Sequence, residues 1–305
     1  MGTHVTVRVC PQAGADAQAA ADRAFAEFDR LNALWSPFVP TSDVSRINAA
    51  PGKAAVLVAE ETFVVLERAL AASARTKGVF DITFAPMGEL WRFDTPPGSH
   101  TPVRLERVPT GAEVKAHLAR VGWKGLKLDA RHRTARLARA GMAINLGGIG
   151  KGAGVDIAVA LLRKAGFTSF AVQAGGDLFC AGRNGSRPWR VGIQHPRQKG
   201  EIVGAIDIQD AAFSTSGDYE RFAIIDGKRY HHIIDLRTGF PATASQSATV
   251  LAPTATDAEW MTKSAFILGG KAGLAVVEAA GGKAVIVQAD GTVLWSEGLP
   301  RVVAP

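Results

Sequence analysis

From Trp189 to Val250 the sequence is a succession of short strand-like runs broken by turn signals, among them Ile225-Asp226-Gly227-Lys228. An Asp-Gly pair tolerates the left-handed backbone of a two-residue hairpin, and strands joined by so short a turn pair antiparallel. A second hairpin is expected from Lys283 to Gln288 and Thr292 to Trp295, around Ala289-Asp290-Gly291. Helical periodicity lies elsewhere. It marks Ala15 to Leu34, with Ala21, Ala24, Phe25, Phe28 and Leu31 on one face, and Thr62 to Arg75, closed by Lys77-Gly78. Further helices are expected over Gly111 to Val121, Val155 to Ala165, Thr256 to Leu268 and Ala272 to Ala280. Val5 to Cys10 and Thr168 to Gln173 read as strands, and Trp35 to Asn48 as a loop. Long helices set between runs of hairpins give an α+β fold with mostly antiparallel sheet.

A chain of 305 residues, 47% apolar and 21% charged, suits one large domain or two lobes. No apolar run reaches the roughly 18 residues of a membrane-spanning helix. The start lacks a signal-peptide pattern, so two readings stand: a cytoplasmic protein, or a mature one whose leader or lipid anchor was removed ahead of Met1. Two cysteines, Cys10 and Cys180, make neither a disulfide framework nor a metal pair and read as small core residues. The net charge of +7 comes from scattered Lys and Arg, with no basic helix or zinc finger, which argues against nucleic acid.

Asn145 to Asp156, NLGGIGKGAGVD, runs into a helix, where free backbone N–H groups attract anions. It fails the Walker A template, because Gly152 follows Lys151, and fails G-x-G-x-x-G, because Ala153 stands at the third glycine. Lys151 inside it favours a phosphate cradle over a turn that merely lets a helix pack closely. Gly175-Gly176-Asp177 ends a strand and fits either close ligand approach or a plain turn. Thr215 and Ser216, in STSGDYERF, offer hydroxyls for a polar ligand. In RYHHIIDLRTGFP, His231 and His232 are neighbours on an extended segment and point to opposite faces, which disfavours a paired-histidine metal site. A histidine beside a polar turn suits a general base. On the helix Thr256 to Leu268, Glu259 and Lys263 are four apart, the spacing of an ordinary salt bridge, and Asp257 sits in the first turn.

Taken together, SPFVPTSDVSRIN, GVFDITFAPMGELW, NLGGIGKGAGVD, QAGGD, STSGDYERF and YHHIIDLRTGFP, with Met1-Gly2-Thr3 ahead of them, resemble the ApbE family, the FAD:protein FMN transferases, in order and over nearly the whole chain. The resemblance implies antiparallel sheets and packed helices around a flavin cleft. It implies cleavage of FAD, covalent attachment of FMN to a Thr or Ser of an acceptor protein, release of AMP, and use of magnesium. Hydrolysis of FAD to FMN and AMP, or FAD binding without turnover, are the alternatives. It also implies roles for single residues. His232 is the candidate base, with His231 as support; Phe38 lies against the flavin; Ser42, Asn48 and Asp81 shape the pocket. Gly147, Gly148, Gly150 and Lys151 hold the pyrophosphate; Asp156, Gly176 and Asp177 frame the adenosine end; Asp235 and Thr238 fix the loop. Family members often act outside the cytoplasm, which leans towards an exported mature form.

Two positions depart from the family pattern. Leu236 replaces a proline after the I-I-D aspartate. At the expected metal helix, the acid and threonine four apart become Glu259 and Lys263, and a protonated lysine cannot ligate a metal. Lys263 either takes the cation's place or leaves Glu259 with Thr262, or Asp257, as ligands beside a backbone carbonyl near Gly148.

Overall fold

The computed structural model describes residues 2–12, 16–93, 105–299 and 301–302. Met1 and Ala15, which begin two of the expected segments, lie outside them. The chain forms two compact units, one of residues 31–150 and 220–242, the other of residues 2–30, 151–219 and 243–305.

The second unit is built on a seven-stranded sheet: β1 (Val5–Val9), β2 (Phe170–Ala174), β3 (Asp177–Ala181), β4 (Ala211–Gly217), β5 (Ser245–Ala252), β6 (Lys283–Gln288) and β7 (Val293–Trp295). Spatial order follows chain order, and every neighbouring pair is antiparallel. Gly175-Gly176 is the two-residue turn between β2 and β3, with Gly175 at φ +60. The helix Ala255–Leu268 packs on β4 and β5 and beside the helix Gly270–Glu278. It is buried nearly all round, from Ala255 to Ile267, which explains its weak amphipathic pattern. A second core gathers Trp189, Ile193, Ile206, Ile208, Phe213, Val285 and Cys180. Strands Trp189–Gln194 and Ile202–Ile208 of a three-stranded sheet supply four of these residues.

The first unit holds small sheets and short helices. Strand Thr134–Leu137 lies between Val56–Leu57 and Leu126–Asp129, and two hairpins pair Phe222–Ile225 with Lys228–His231 and Ile234–Asp235 with Phe240–Pro241. The Asp-Gly turn forms as expected, with Asp226 at φ 50 and Gly227 at φ 74. Trp91 anchors this unit's core: its indole N–H donates to the Gly239 carbonyl at 2.8 Å, and its ring stacks on Tyr230 at 5.9 Å.

Three expectations change. Trp35 to Asn48 is not all loop: Asp43–Asn48 is a short helix whose N-cap, Ser42, accepts from the Ser45 N–H. The helix expected from Val155 begins at Gly150, so Gly152 and Gly154 lie inside it. A Cβ on Gly152 would sit 2.3 Å from the Ala255 carbonyl oxygen, so glycine lets two backbones approach where a good helix former cannot fit. Phe25, expected on the inward face, is 38% exposed, whereas Ala24, Phe28 and Leu31 are buried. Among the described residues no helix is long and apolar enough to cross a membrane.

Candidate active site

One polar cluster stands out in the second unit. Asp177 opens β3, Lys151 and Gly152 lie in the first turn of the helix Gly150–Lys164, and Glu259 and Lys263 lie on the helix Ala255–Leu268. The Lys151 ammonium bridges both acids, reaching Asp177 Oδ2 at 3.0 Å and Glu259 Oε1. Glu259 Oε2 accepts from the Gly152 N–H at 2.8 Å, and Asp177 Oδ1 accepts from the Ser214 hydroxyl. All four carboxylate oxygens therefore face a protein donor. The i,i+4 pair expected between Glu259 and Lys263 is replaced: Lys263 Nζ donates to Ser216 Oγ at 2.9 Å. Ser216 donates to Thr262 Oγ1 at 2.8 Å, and Thr262 donates to the Glu259 carbonyl at 2.9 Å. Each hydroxyl passes its one proton onward, so the run from Lys263 to the helix backbone has a fixed direction.

The cluster is layered. Glu259 and Asp177 are 0% and 2% exposed, while the Lys151 side chain retains 21% exposure and Lys263 is also partly exposed. Burial alone would lower the Lys151 pKa, but the charges of Asp177 and Glu259 outweigh it and raise it above the ordinary lysine value. Glu259 is pushed up, first by burial and then by the Asp177 charge. Lys263 is pushed down by burial and by the neighbouring Lys151 charge.

Magnesium needs oxygen ligands in near-octahedral geometry at about 2.0–2.1 Å. Here the carboxylate oxygens are covered by N–H and O–H donors, one of them the Lys151 ammonium, and Lys263 brings no lone pair while protonated. Asp257 is engaged elsewhere: its carboxylate accepts from Thr254 Oγ1 at 2.7 Å and Trp260 Nε1 at 3.1 Å, closing the helix N-terminus. Gly148 belongs to the turn before Gly150. Among the described residues no three His, Cys, Asp or Glu side chains converge to hold a metal ion. The donor set does not fit a hard dication.

Other expected residues take structural partners. Asp156 accepts from the Ala255 N–H at 2.7 Å and the Thr256 N–H at 3.0 Å, so it caps the neighbouring helix. Thr215 points away from Ser216: its hydroxyl meets that of Thr249, opposite it on β5, at 2.9 Å. Gly176 abuts Thr215, whose carbonyl oxygen would lie 2.8 Å from an added Cβ. Ser214 was missed. Strand parity would have found it, since Ser214 and Ser216 share one face and Thr215 the other.

The remaining candidates belong to the first unit. Phe38 is 87% exposed. The Ser42 hydroxyl donates to the Ser36 carbonyl at 2.7 Å, and the Asn48 amide clamps the Ile144 backbone, donating at 2.9 Å and accepting at 2.7 Å. Asp81 accepts from the Thr83 and Trp123 amides, both at 2.7 Å; burial raises its pKa and these bonds oppose the rise. The Gly147 N–H donates to Asn145 Oδ1 at 2.7 Å. Asp235 accepts from the Arg237 backbone N–H and guanidinium, and Thr238 Oγ1 donates to the Asp235 carbonyl at 3.2 Å, which together hold the turn.

The two histidines differ in setting: His231 ends the strand Lys228–His231, and His232 lies in the bend after it, outside the extended run that the sequence suggested. His231 is 3% exposed; its Nε2 donates to the Ala242 carbonyl at 2.8 Å and its Nδ1 accepts from the Ile233 N–H at 3.3 Å. With both ring nitrogens engaged it cannot exchange protons with a ligand. His232 is partly exposed, with Nδ1 facing the Arg221 carbonyl at 3.4 Å.

Comparison with known proteins places this arrangement. A protein of Treponema pallidum named FAD:protein FMN transferase is 32% identical over 98% of this chain and 85% of its own length. One of Vibrio cholerae with the same name is 29% identical over 92% and 82%. Among solved structures, the ApbE protein of Thermotoga maritima superposes with a TM-score of 0.87 at 32% identity, covering 97% of this chain and 94% of that one. The flavin transferase ApbE of Vibrio cholerae gives 0.85 at 28% identity, covering 97% and 94%. The family model described as ApbE matches residues 1–287, and the chain belongs to the ApbE family.

Proposed function

We propose that this chain is an FAD:protein FMN transferase, which cleaves FAD and attaches FMN through a phosphoester to a Thr or Ser hydroxyl of an acceptor protein. The observation that carries the reading is the Lys151 ammonium, held in the first turn of a helix by two sealed carboxylates, in a chain of the ApbE family. An ammonium fixed in this way needs no rearrangement to meet charge that develops as a phosphoanhydride breaks. The acceptor oxygen forms a bond to the FMN phosphorus. The bond from that phosphorus to the bridging oxygen breaks, and AMP departs with the bridging oxygen. His232 takes the hydroxyl proton: with its own proton on Nδ1 towards Arg221, its Nε2 carries the lone pair. Lys151 neutralises charge on the pyrophosphate. No step is assigned to magnesium, because the donor set does not suit it.

The test is incubation with FAD and a peptide bearing a threonine acceptor, with AMP and peptide-bound flavin measured together. Equal yields are expected. His232→Ala should keep FAD affinity and lose about 10²-fold or more in transfer rate. AMP with free FMN and an unlabelled peptide would replace the reading with an FAD pyrophosphatase. Bound FAD without AMP would replace it with a flavin-binding protein.

A further inference from the structure

The layered cluster has a consequence beyond the reaction itself. The groups a solvent cation would need, the carboxylates of Asp177 and Glu259, are the most deeply sealed. The groups a solvent anion would need, the ammoniums of Lys151 and Lys263, are the ones partly open. Among the described residues Ser216 Oγ is the one hydrogen-bond acceptor that Lys263 Nζ meets, and an ammonium carries three donors. The two acids both lie against Lys151, which leaves the Lys263 charge without an equally close carboxylate. Counting formal charges, two carboxylates and two ammoniums sum to zero, so the site starts with no excess negative charge to draw in a dication.

We infer that in this chain the Lys151 and Lys263 ammoniums together stand in for a divalent cation, and bind the pyrophosphate of FAD directly and without metal. This rests on the flavin transferase reading for the identity of the ligand, but not for the chemistry of the site. Lys151 is the fixed half of the pair, clamped from below. Lys263 is the adaptable half, on a long stem tethered through one serine, with donors left for a phosphate oxygen. Burial and the Lys151 charge depress the Lys263 pKa, and an anionic phosphate oxygen against its ammonium would oppose that shift. Ser216 and Thr262, joined in their hydrogen-bonded run, aim Lys263 rather than serve as ligands.

The full-length protein is stripped with EDTA and titrated calorimetrically with FAD and with inorganic pyrophosphate, in EDTA and in magnesium. Affinity should agree within about twofold between the two conditions, and Mn2+ titrated into the ligand-free protein should leave the free-ion electron paramagnetic resonance signal undiminished. Lys263→Met should weaken pyrophosphate binding at least tenfold, the loss of one charge-assisted contact. Lys263→Thr should do the same in EDTA. It leaves the cluster one negative charge in excess, so it should acquire a magnesium requirement. Binding that needs magnesium in the unsubstituted protein, or stoichiometric Mn2+ uptake, overturns the inference. If both variants fail to fold, the Mn2+ titration of the unsubstituted protein still decides. Pyrophosphate binding in EDTA without AMP release would sink the transferase reading and leave this one standing. AMP release only with magnesium would do the reverse.

Discussion

Cys180 lies on β3 at 1% exposure, and burial pushes its thiol up to about 12, against a smaller opposing effect from Arg8. The thiolate is the reactive form, so this side chain is inert in the folded protein at pH 8. Cys10, half-buried on the loop after β1, is not so protected. A thiol reagent at pH 8 should label Cys10 and spare Cys180, and guanidinium should release the second thiol. Peptide mass spectrometry distinguishes the two, and equal native labelling rates would mean that β3 opens readily. Residue chemistry of this kind was legible in the sequence, because a small apolar residue in a strand has few other uses. The polar residues were harder. Lys151, Asp177 and Glu259 were each singled out, but for separate duties, because nothing in the spacing of positions 151, 177 and 259 shows that one ammonium bridges two acids. The i,i+4 rule predicted a Glu259–Lys263 pair from local geometry, and long-range packing overrode it.

At the scale of elements, the helix Ala255–Leu268 is held at its start from two directions. Thr254 caps it from within, accepting from the Asp257 N–H, and Asp156 caps it from the helix Gly150–Lys164. The Asp156 carboxylate satisfies amides that have no intrahelical partner, at the end where the helix dipole favours negative charge. Asp156→Ala should therefore cost about 1–3 kcal/mol, read as a lowered denaturant midpoint at unchanged slope. Asp156→Asn, which keeps one acceptor, should cost less. A loss confined to flavin binding, with stability intact, would instead make Asp156 a ligand residue. The same two helices explain why the glycine-rich stretch was misread at its edge. Gly150 to Gly154 carry turn chemistry in sequence, yet Gly152 is glycine because Ala255 lies against it, a partner about a hundred positions away. Antiparallel hairpins such as Asp226-Gly227 were read correctly, since both strands and their turn are contiguous. The helix Asp43–Asn48 was missed because Pro and Ser punctuation hid a six-residue element whose Asp43 caps the next helix through the Ala59 N–H at 2.9 Å.

At the scale of the molecule, the large sheet adds its strands in chain order, but the chain between β1 and β2 builds most of the first unit before returning. The edge strand β1 pairs along its full length with β2, Val5 with Ala174 through Val9 with Phe170. Removing residues 2–10 would bare the β2 edge, whose backbone groups would then be open to pairing with another chain. The truncated protein should melt lower and show concentration-dependent association by light scattering; an unchanged, monomeric product would mean that β1 is dispensable. The pairing also has a meaning on the ribosome. Strand β1 is made well before its partner, which emerges only after some 160 further residues, on the order of ten to thirty seconds later at about 5–20 residues per second. For that interval the nascent chain carries an unpaired β-strand ahead of residues 31–150 of the first unit. Anything that stalls translation between Val9 and Phe170 lengthens the exposure.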